Sequence, residues 1–421
     1  MNTTAIVQFF RANVSRKLWF RAALYSLFSV LAALAAWYLA PLIPQSWPTI
    51  VGANSIGEIL GILGASMLSV TVFSLTAMVS AYASASSNVT PRAAALLLSD
   101  PTSQHALSTF LGAFLFSLVA IIALGAGIYG SSGRIVVFGA TLVMIVVVAG
   151  TLVRWIGHLS TFGLTGDVIR RVETAAAGAM RKRAENPFLG GEPACVIPAF
   201  ARPIYADETG YVSFVDMQAL ARLARQHGRI HVEALPGARV HPTRALAWVE
   251  ASAAAVDECE AGIRKAFQIG RARTFDQDPR FGLIVLGEIA SRALSPGIND
   301  PGTAYAVLDA QLRVIDIWNE AKAKQTERPE VACPDVHVPP LEANDLLDDA
   351  FRGIARDGAG MQDVAERLQR TLALLARRGD APMRVSASAL SRYALAHAER
   401  ALAIDADRDR VRLSARGVPA A

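Results

Sequence analysis

The residues able to do chemistry concentrate in one stretch, R-T-F-D-Q-D-P-R-F-G-L-I-V-L-G-E-I-A-S-R-A-L-S-P-G-I-N-D-P-G-T-A, residues Arg273–Ala304. Arg273, Asp276, Asp278, Arg280, Glu288, Arg292, Asn299 and Asp300 gather there around two Asp-Pro pairs. Asp followed by Pro is a helix start. The carboxylate accepts from free amides, and the proline takes a first-turn position whose N–H would lack a partner anyway. Two helix N-termini with arginines beside them form a place for a small anionic ligand, because amides and guanidinium forks both donate toward negative charge. The same residues equally describe a structural salt-bridge hub. Glu288 and Asp276 can be imagined as an acid–base pair, but no Ser-His, Cys-His or H-E-x-x-H arrangement accompanies them. Enzymatic activity, a cofactor and a metal are therefore not expected. His227, His231 and His241 do not repeat on one helix, and zinc is weakly indicated at most. On the strand-like run 229–234, His231 shares a face with Arg229 and Glu233, which reads as an exposed edge.

A second pattern lies far upstream, in G-I-L-G-A-S-M-L-S-V-T-V-F-S-L-T-A-M-V-S-A-Y-A-S-A-S-S, residues 61–87. At 100° per residue, Gly61, Ala65, Ser69, Thr76, Ser80 and Ser84 fall on one side with Phe73, and Leu60, Leu63, Met67 and Met78 fall opposite. Thr71 and Ser74 point elsewhere. Hydroxyls on one helical face can hydrate a passing ion, and an aromatic ring can form a dewetting constriction. Ser66, Ser69, Phe73, Thr76, Ser80 and Ser84 are thus candidate pore-lining residues, with Glu58 at the mouth. Small residues also permit close helix packing, and hydroxyls also bond to their own backbone, so a tightly packed central helix explains the pattern too.

The elements that must carry these residues begin with four apolar runs. A helix rises about 1.5 Å per residue, so roughly 20 apolar residues cross a hydrocarbon core about 30 Å thick. Residues Ala22–Ala40, Ile59–Ala85, Leu111–Tyr129 and Ile135–Val153 contain no Asp, Glu, Lys, Arg or His. The expected fold is an α-helical integral membrane domain of four transmembrane helices followed by a cytoplasmic α+β domain. Arg11, Arg16 and Lys17 precede the first run, and Arg154, Arg170, Arg171, Arg181, Lys182 and Arg183 follow the last. Basic residues mark the inner face, so both termini are expected in the cytoplasm of a bacterial inner-membrane protein. Val7, Phe10, Val14 and Leu18 share a face, which suits an amphipathic segment over 1–21 or a plain basic lead-in. The net charge of +5 is largely topological, directed at phospholipid, and no aromatic-basic strand pattern points to nucleic acid. Cys195, Cys259 and Cys333 form no C-x-x-C and read as reduced, buried thiols.

The segment Phe73–Ala94, F-S-L-T-A-M-V-S-A-Y-A-S-A-S-S-N-V-T-P-R-A-A, together with Arg273–Ala304, resembles a family of bacterial predicted membrane proteins known only as a domain of unknown function. The likeness runs from the first apolar run to about Trp318. Glu288 departs from it, since Asp is expected there; the carboxylate survives with a different reach. The resemblance implies the membrane topology and leaves the activity open.

Beyond the spans, 159–193 reads as a juxtamembrane helix and linker, and 194–250 as a small β-barrel or sandwich module with strands near 195–200, 211–215, 229–234 and 245–250. Asp216 is placed to cap a short helix over 217–227. L-P-G-A-R-V-H-P-T-R-A-L-A-W-V-E is similar to the hammerhead of biotinyl and lipoyl carrier domains: Gly237, Val240, Leu246 and Val249 match, whereas Thr243 stands in place of a second turn glycine. No Met-Lys-Met lies nearby to carry a prosthetic group. Residues 251–324 read as a helical module, 325–340 as a loop, and 341–406 as a further helix and a helical hairpin, with disorder after Arg408.

Taken together, these features suggest a homo-oligomeric ion channel lined by the second span and gated by the cytoplasmic domain, in layout similar to bestrophin-type and small-conductance mechanosensitive channels. The alternative is a membrane-anchored signalling or scaffolding protein whose cytoplasmic domain binds a ligand or partner. A lipid-directed enzyme would need a polar cleft, and secondary transport a broken helix, which the sequence does not suggest.

Overall fold

The structure, a computed structural model, describes residues 53–129, 131–324 and 331–419, with the isolated positions 23, 27, 30, 31 and 38. The segment 1–21, most of the first expected span and the first loop up to residue 52 lie outside the described residues. The chain divides into two compact units, Met1–Val168 and Ile169–Ala421.

The first unit contains α1 (Ala53–Asn88), α2 (Pro91–Leu98), α3 (Pro101–Gly125) and α4 (Ser131–Leu159). Three stretches among the described residues, Ser55–Asn88, Pro101–Gly125 and Gly133–Leu159, are long and apolar enough to cross a bilayer, with mean hydropathies of 1.9, 2.4 and 2.7. α3 is the central one, 56% buried against 22% and 17% for the other two. Its small buried residues Ala113, Ser117 and Ala120 let α1 approach closely. Thr90 and Asp100 start α2 and α3: Thr90 Oγ1 accepts from Ala93 N at 3.1 Å, and Asp100 Oδ2 from Ser103 N at 2.7 Å. Buried Asp100 also meets His158 Nε2 at 2.9 Å, fastening the start of α3 to the end of α4. Trp155 Nε1 donates to Ser74 Oγ at 2.8 Å, a buried bond from α4 to α1. That contact explains why Ser74 lies off the hydroxyl stripe.

The second unit opens in α5 (Thr165–Glu185) and builds two sheets from β1 (Gly191–Pro193), β2 (Arg202–Tyr205), β3 (Gly210–Val215), β4 (Ile230–Val232), β5 (Arg239–Val240), β6 (Ala245–Val249), β7 (Phe267–Gly270) and β8 (Cys333–Val338). One sheet has the order β1-β8-β4-β6-β2 and the other β5-β3-β7. In the first, β8 runs parallel to β1 and β4, while β6 is antiparallel to β4 and β2. Among the described residues both strand orders have free ends, so of the expected barrel or sandwich a closed barrel is not formed, and the strands make two open sheets. Residues such as Ile204, Val212, Ile230, Leu246 and Val336 form the core beneath α6 (Met217–His227) and α7 (Ala253–Ala266). Asp216 caps α6, its Oδ1 accepting from Ala219 N at 2.9 Å.

The helical half comprises α8 (Pro279–Ala293), α9 (Pro301–Lys324), α10 (Ala343–Asp357), α11 (Gln362–Arg378), α12 (Ala381–Ala401) and α13 (Asp405–Ala415). Buried Gln311 on α9 donates to Leu283 O and Ala350 O at 3.3 and 2.7 Å, joining α8, α9 and α10 through one amide. Leu368, Leu372 and Leu375 of α11 are buried in the pairing with α12, whose Leu390 and Ala394 are buried in turn.

Four local expectations change. Residues 195–200 are irregular rather than a strand, with pairing confined to β1 just before them. The supposed loop 325–340 contains β8, whose alternation Cys333, Val336, Val338 is buried despite Pro334. The helix expected over 256–270 stops at Ala266, where the chain turns extended as β7 and pairs with β3. The tail expected to be disordered forms α13, seated through Val411 against Ala398 and Leu402 and by Arg412 on Glu399 at 2.7 Å.

α5 and α8 approach closely at Gly282, where an added Cβ would lie 2.3 Å from Ala176 Cβ and 2.8 Å from its Cα. Helix propensity alone favours Gly282→Ala by about 1 kcal/mol. The contact reverses that sign: we expect a loss of about 1–3 kcal/mol from overpacking, measured by chemical denaturation of the purified chain. An unchanged or raised midpoint would contradict this packing.

Candidate functional site

Asp278 organises the start of α8. It is 1% exposed, and its Oδ1 accepts from Arg280 N and Phe281 N, both at 3.1 Å, as an N-cap. The same carboxylate takes a two-pronged contact from Arg273, Nε at 2.7 Å and Nη2 at 3.0 Å. Arg273 in turn lies over the Phe281 ring at 5.6 Å. The turn at Gly237, between β4 and β5, presses on this pair from the other side. Gly237 has φ +91°, and a Cβ there would stand 2.2 Å from Asp278 Oδ2. The hammerhead-like turn therefore needs glycine both for its left-handed backbone and for its seat against the ion pair.

Arg280, next along, bonds Asp345 and Asp349 of α10, the latter from Nε at 2.6 Å. Burial disfavours its charge, but Asp349, Asp345 and Asp278 more than offset this and raise its pKa. Arg273, Asp278, Arg280 and Asp345 line one wall of a cavity of about 510 Å³, shared with Arg183, Arg239, Arg244 and the apolar Tyr211, Leu235, Pro236 and Leu341.

Arg183 differs from the other arginines in the wall. It is only 4% exposed, and its Nη2 donates to Pro339 O at 3.1 Å. Its Nε has no acceptor, and no carboxylate lies within ion-pair distance among the described residues. Burial pushes its pKa from 12.5 down to about 10, so at neutral pH a protonated guanidinium sits desolvated and uncompensated. Arg239 and Arg244 are exposed and without carboxylate partners among the described residues; Arg244 Nη1 donates to Arg239 O at 2.9 Å. The wall also carries Glu233 and Glu342, both exposed, with Glu233 Oε2 taken by Trp248 Nε1.

Of the eight residues singled out in Arg273–Ala304, Arg273, Asp278 and Arg280 meet at the cavity. Asp276 is exposed, and Glu288 is half-buried midway along α8. Arg292, in the last turn of this 15-residue helix about 22 Å long, and Asn299 and Asp300 beyond it are exposed at the far end. There Asn299 has φ +52°, and Asp300 caps α9 through Thr303, whose side chain and amide hold its carboxyl below the usual range. The motif thus serves two separate junctions.

Sequence reasoning missed Arg183, Arg239 and Arg244 as cavity residues. Arg183 was detectable: Val168, Val172, Ala176 and Met180 are its buried neighbours on one face of α5, and the stripe continues to it at helical spacing. His231 is a correction. It is 3% exposed because β4 lies inside its sheet, between β6 and a β8 contributed by residues 333–338. Likewise Cys195 is exposed rather than buried. Among the described residues no group of three or more His, Cys, Asp or Glu side chains is arranged to hold a metal ion.

In the first unit, Ser66, Ser69, Phe73, Thr76, Ser80 and Ser84 are all exposed, as is Glu58 near the start of α1. The opposite face, Leu60, Leu63, Met67 and Met78, is buried. Ser69 and Thr76 donate to Ala65 O and Val72 O, each at 3.0 Å.

Residues 15–374 match the sequence model of a family described as predicted membrane protein (DUF2254). Uncharacterized proteins of Mycobacterium bovis and Mycobacterium tuberculosis are each 35% identical over 116 residues, covering 26% of this chain and 22% of the relative. The match therefore spans about a fifth of those relatives' length. No solved structure matches.

Asp278→Ala removes the cap and strands Arg273 without its acid, and should cost about 3–5 kcal/mol in denaturant titrations, as for other broken buried pairs. Asp278→Asn, which retains a capping oxygen, should cost distinctly less. Equal losses would mean that the charge at Asp278 contributes nothing.

Proposed function

The chain belongs to the DUF2254 family of predicted membrane proteins, and from that premise we propose that it is a membrane-anchored receptor for a small anion, bound in the arginine-walled cavity of its second unit. One observation carries this reading: Arg183 is buried at the cavity wall with an unfilled donor and no counter-charge. The depressed pKa corresponds to a desolvation cost of about 3 kcal/mol at roughly 1.4 kcal/mol per unit. A purely structural arginine would be paired, as Arg273 and Arg280 are. A ligand carrying negative charge would remove the penalty on binding.

The cavity's 510 Å³ falls within the usual range for small-molecule sites, about 300–1,000 Å³. Its apolar side, Tyr211, Leu235 and Pro236, suits a ligand with a hydrophobic body beside its anionic group, a phosphorylated or carboxylated metabolite. The basic residues after Arg154 support a cytoplasmic position for this unit, where such metabolites are abundant.

A second reading has its own support. The six serine, threonine and phenylalanine positions of α1 are exposed in one chain while the opposite face packs on α3. Several chains gathering through that face would enclose a hydroxyl-lined path in which Phe73 is the constriction and Glu58 the mouth, with the anion site as its gate.

Pyrophosphate is a suitable first probe for the cavity, titrated calorimetrically into the purified full chain in nanodiscs. Binding should weaken with salt and raise the unfolding temperature. Arg183→Met should abolish binding while leaving the ligand-free protein as stable or more so, because a buried unpaired charge is removed. Failure to bind any di- or triphosphate, or marked destabilisation by Arg183→Met, would refute the receptor reading. For the pore, Phe73→Ser should raise single-channel open probability in planar bilayers by about tenfold, the effect of removing about 1.4 kcal/mol of dewetting barrier. A chain that is monomeric and non-conducting, with or without anion, would eliminate that reading.

A further inference from the structure

We propose that Cys195, His231 and Glu250 form a base-assisted nucleophilic thiol that accepts an acyl group from a thioester donor. The three are distant in sequence and are assembled by the five-stranded sheet. β4 carries His231, the residue after β6 is Glu250, and Cys195 follows β1 at the sheet edge. Cys195 Sγ lies 3.9 Å from His231 Nδ1, and His231 Nε2 lies 2.8 Å from Glu250 Oε1.

The proton positions follow from the chemistry of these groups. An ionised carboxylate only accepts, so Nε2 of a neutral His231 must carry the hydrogen that it donates to Glu250. Nδ1 is then the basic nitrogen, and it faces the sulfur. The ring is held in that orientation from two directions, by Glu250 and by His337 stacked on it at 5.0 Å and 16°. His337 is itself fixed, donating from Nδ1 to Pro193 O at 3.0 Å. His231 is 3% exposed while Cys195 is exposed, so the base is sheltered and the nucleophile is accessible. Nucleophile, base and a third group that orients the base is the arrangement that acyl transfer requires.

Two further observations select acyl transfer over thiol–disulfide exchange. The other cysteines, Cys259 and Cys333, are buried in the core, so no second thiol stands ready to resolve a disulfide. Beside Cys195, Val196 is 91% and Phe200 63% exposed, an apolar surface suited to the chain of an acyl group. In the step itself the thiol proton passes to His231 Nδ1 as sulfur bonds to the donor's carbonyl carbon. The tetrahedral adduct collapses with cleavage of the donor C–S bond. The departing thiolate recovers the proton from the imidazolium, leaving Cys195 as a thioester and the donor as a free thiol, with no net oxidation or reduction.

The test uses the purified 421-residue chain with hexanoyl-coenzyme A as donor, followed by intact mass and peptide mapping, and iodoacetamide alkylation in parallel. Acylation at Cys195 should run at least 100-fold faster in the folded protein than in the same chain unfolded in urea, within the range of a positioned general base. His231→Asn should erase that advantage, and Glu250→Gln should reduce it about tenfold while the circular dichroism spectrum is retained. The urea comparison needs no variant, so it decides the matter even if His231→Asn fails to fold. An acylation rate no greater than that of the unfolded chain overturns the proposal, as does a folded-state advantage that Glu250→Gln leaves untouched. Accelerated alkylation without acylation overturns the acyl assignment.

Discussion

A single carboxylate, Asp278, joins the parts of the second unit that carry its chemistry. It starts α8 by accepting from the amides of Arg280 and Phe281, and it neutralises Arg273. It also provides the surface against which the Gly237 turn closes. At 1% exposure those demands must be met together, since a buried anion with fewer donors would be costly. The turn between β4 and β5, the N-terminus of α8 and one wall of the cavity are thereby fixed relative to each other by one functional group. Arg280, adjacent in sequence, extends the arrangement to α10 through Asp345 and Asp349.

Against that background Arg183 is conspicuous. Two arginines of the cavity are saturated with carboxylates, and their charges stabilise the fold. Arg183 is the most buried arginine of the cavity, and its guanidinium donates to one backbone carbonyl. Folding tolerates such a residue only when surrounding packing outweighs its cost, as the buried stripe of α5 does here with Val172, Ala176 and Met180. Strain or desolvation retained at a concave surface is a common mark of a binding site, where the ligand supplies the missing charge. The cavity and the Cys195 centre share no residue and rest on unrelated chemistry, so either can fail without the other.

Much of the helical half was legible in the sequence because its signals are local. Asp278-Pro279 and Asp300-Pro301 start α8 and α9 at the expected residues, and Asp216 caps α6. The three described membrane-length helices follow from uninterrupted apolar runs. What escaped was set by contacts between distant segments. β8 enters its sheet from residues 333–338, more than a hundred residues after β1, and converts β4 from an apparent edge into an interior strand. His231 is buried for that reason, and its pairing with Cys195 and Glu250 has no signature in spacing. α13 escaped for a different cause: its contact with the fold rests on Val411 and on arginine–carboxylate pairs, a composition that resembles a solvated tail.

The hydroxyl face of α1 follows a different logic from the cavity. Its Ser69 and Thr76 satisfy their donors on the backbone one turn earlier, so the face is polar yet carries no unmet hydrogen bond at those positions. Such a surface costs little against lipid and little against water. Polarity therefore does not decide what it meets. Size is more informative: Gly61, Ala65 and the serines are small exposed residues along the helix, interrupted by Phe73, which is 66% exposed. Between identical chains, small residues allow close approach and a large ring at one level resists it. In the proposed assembly Phe73 would set the distance at which copies of α1 meet.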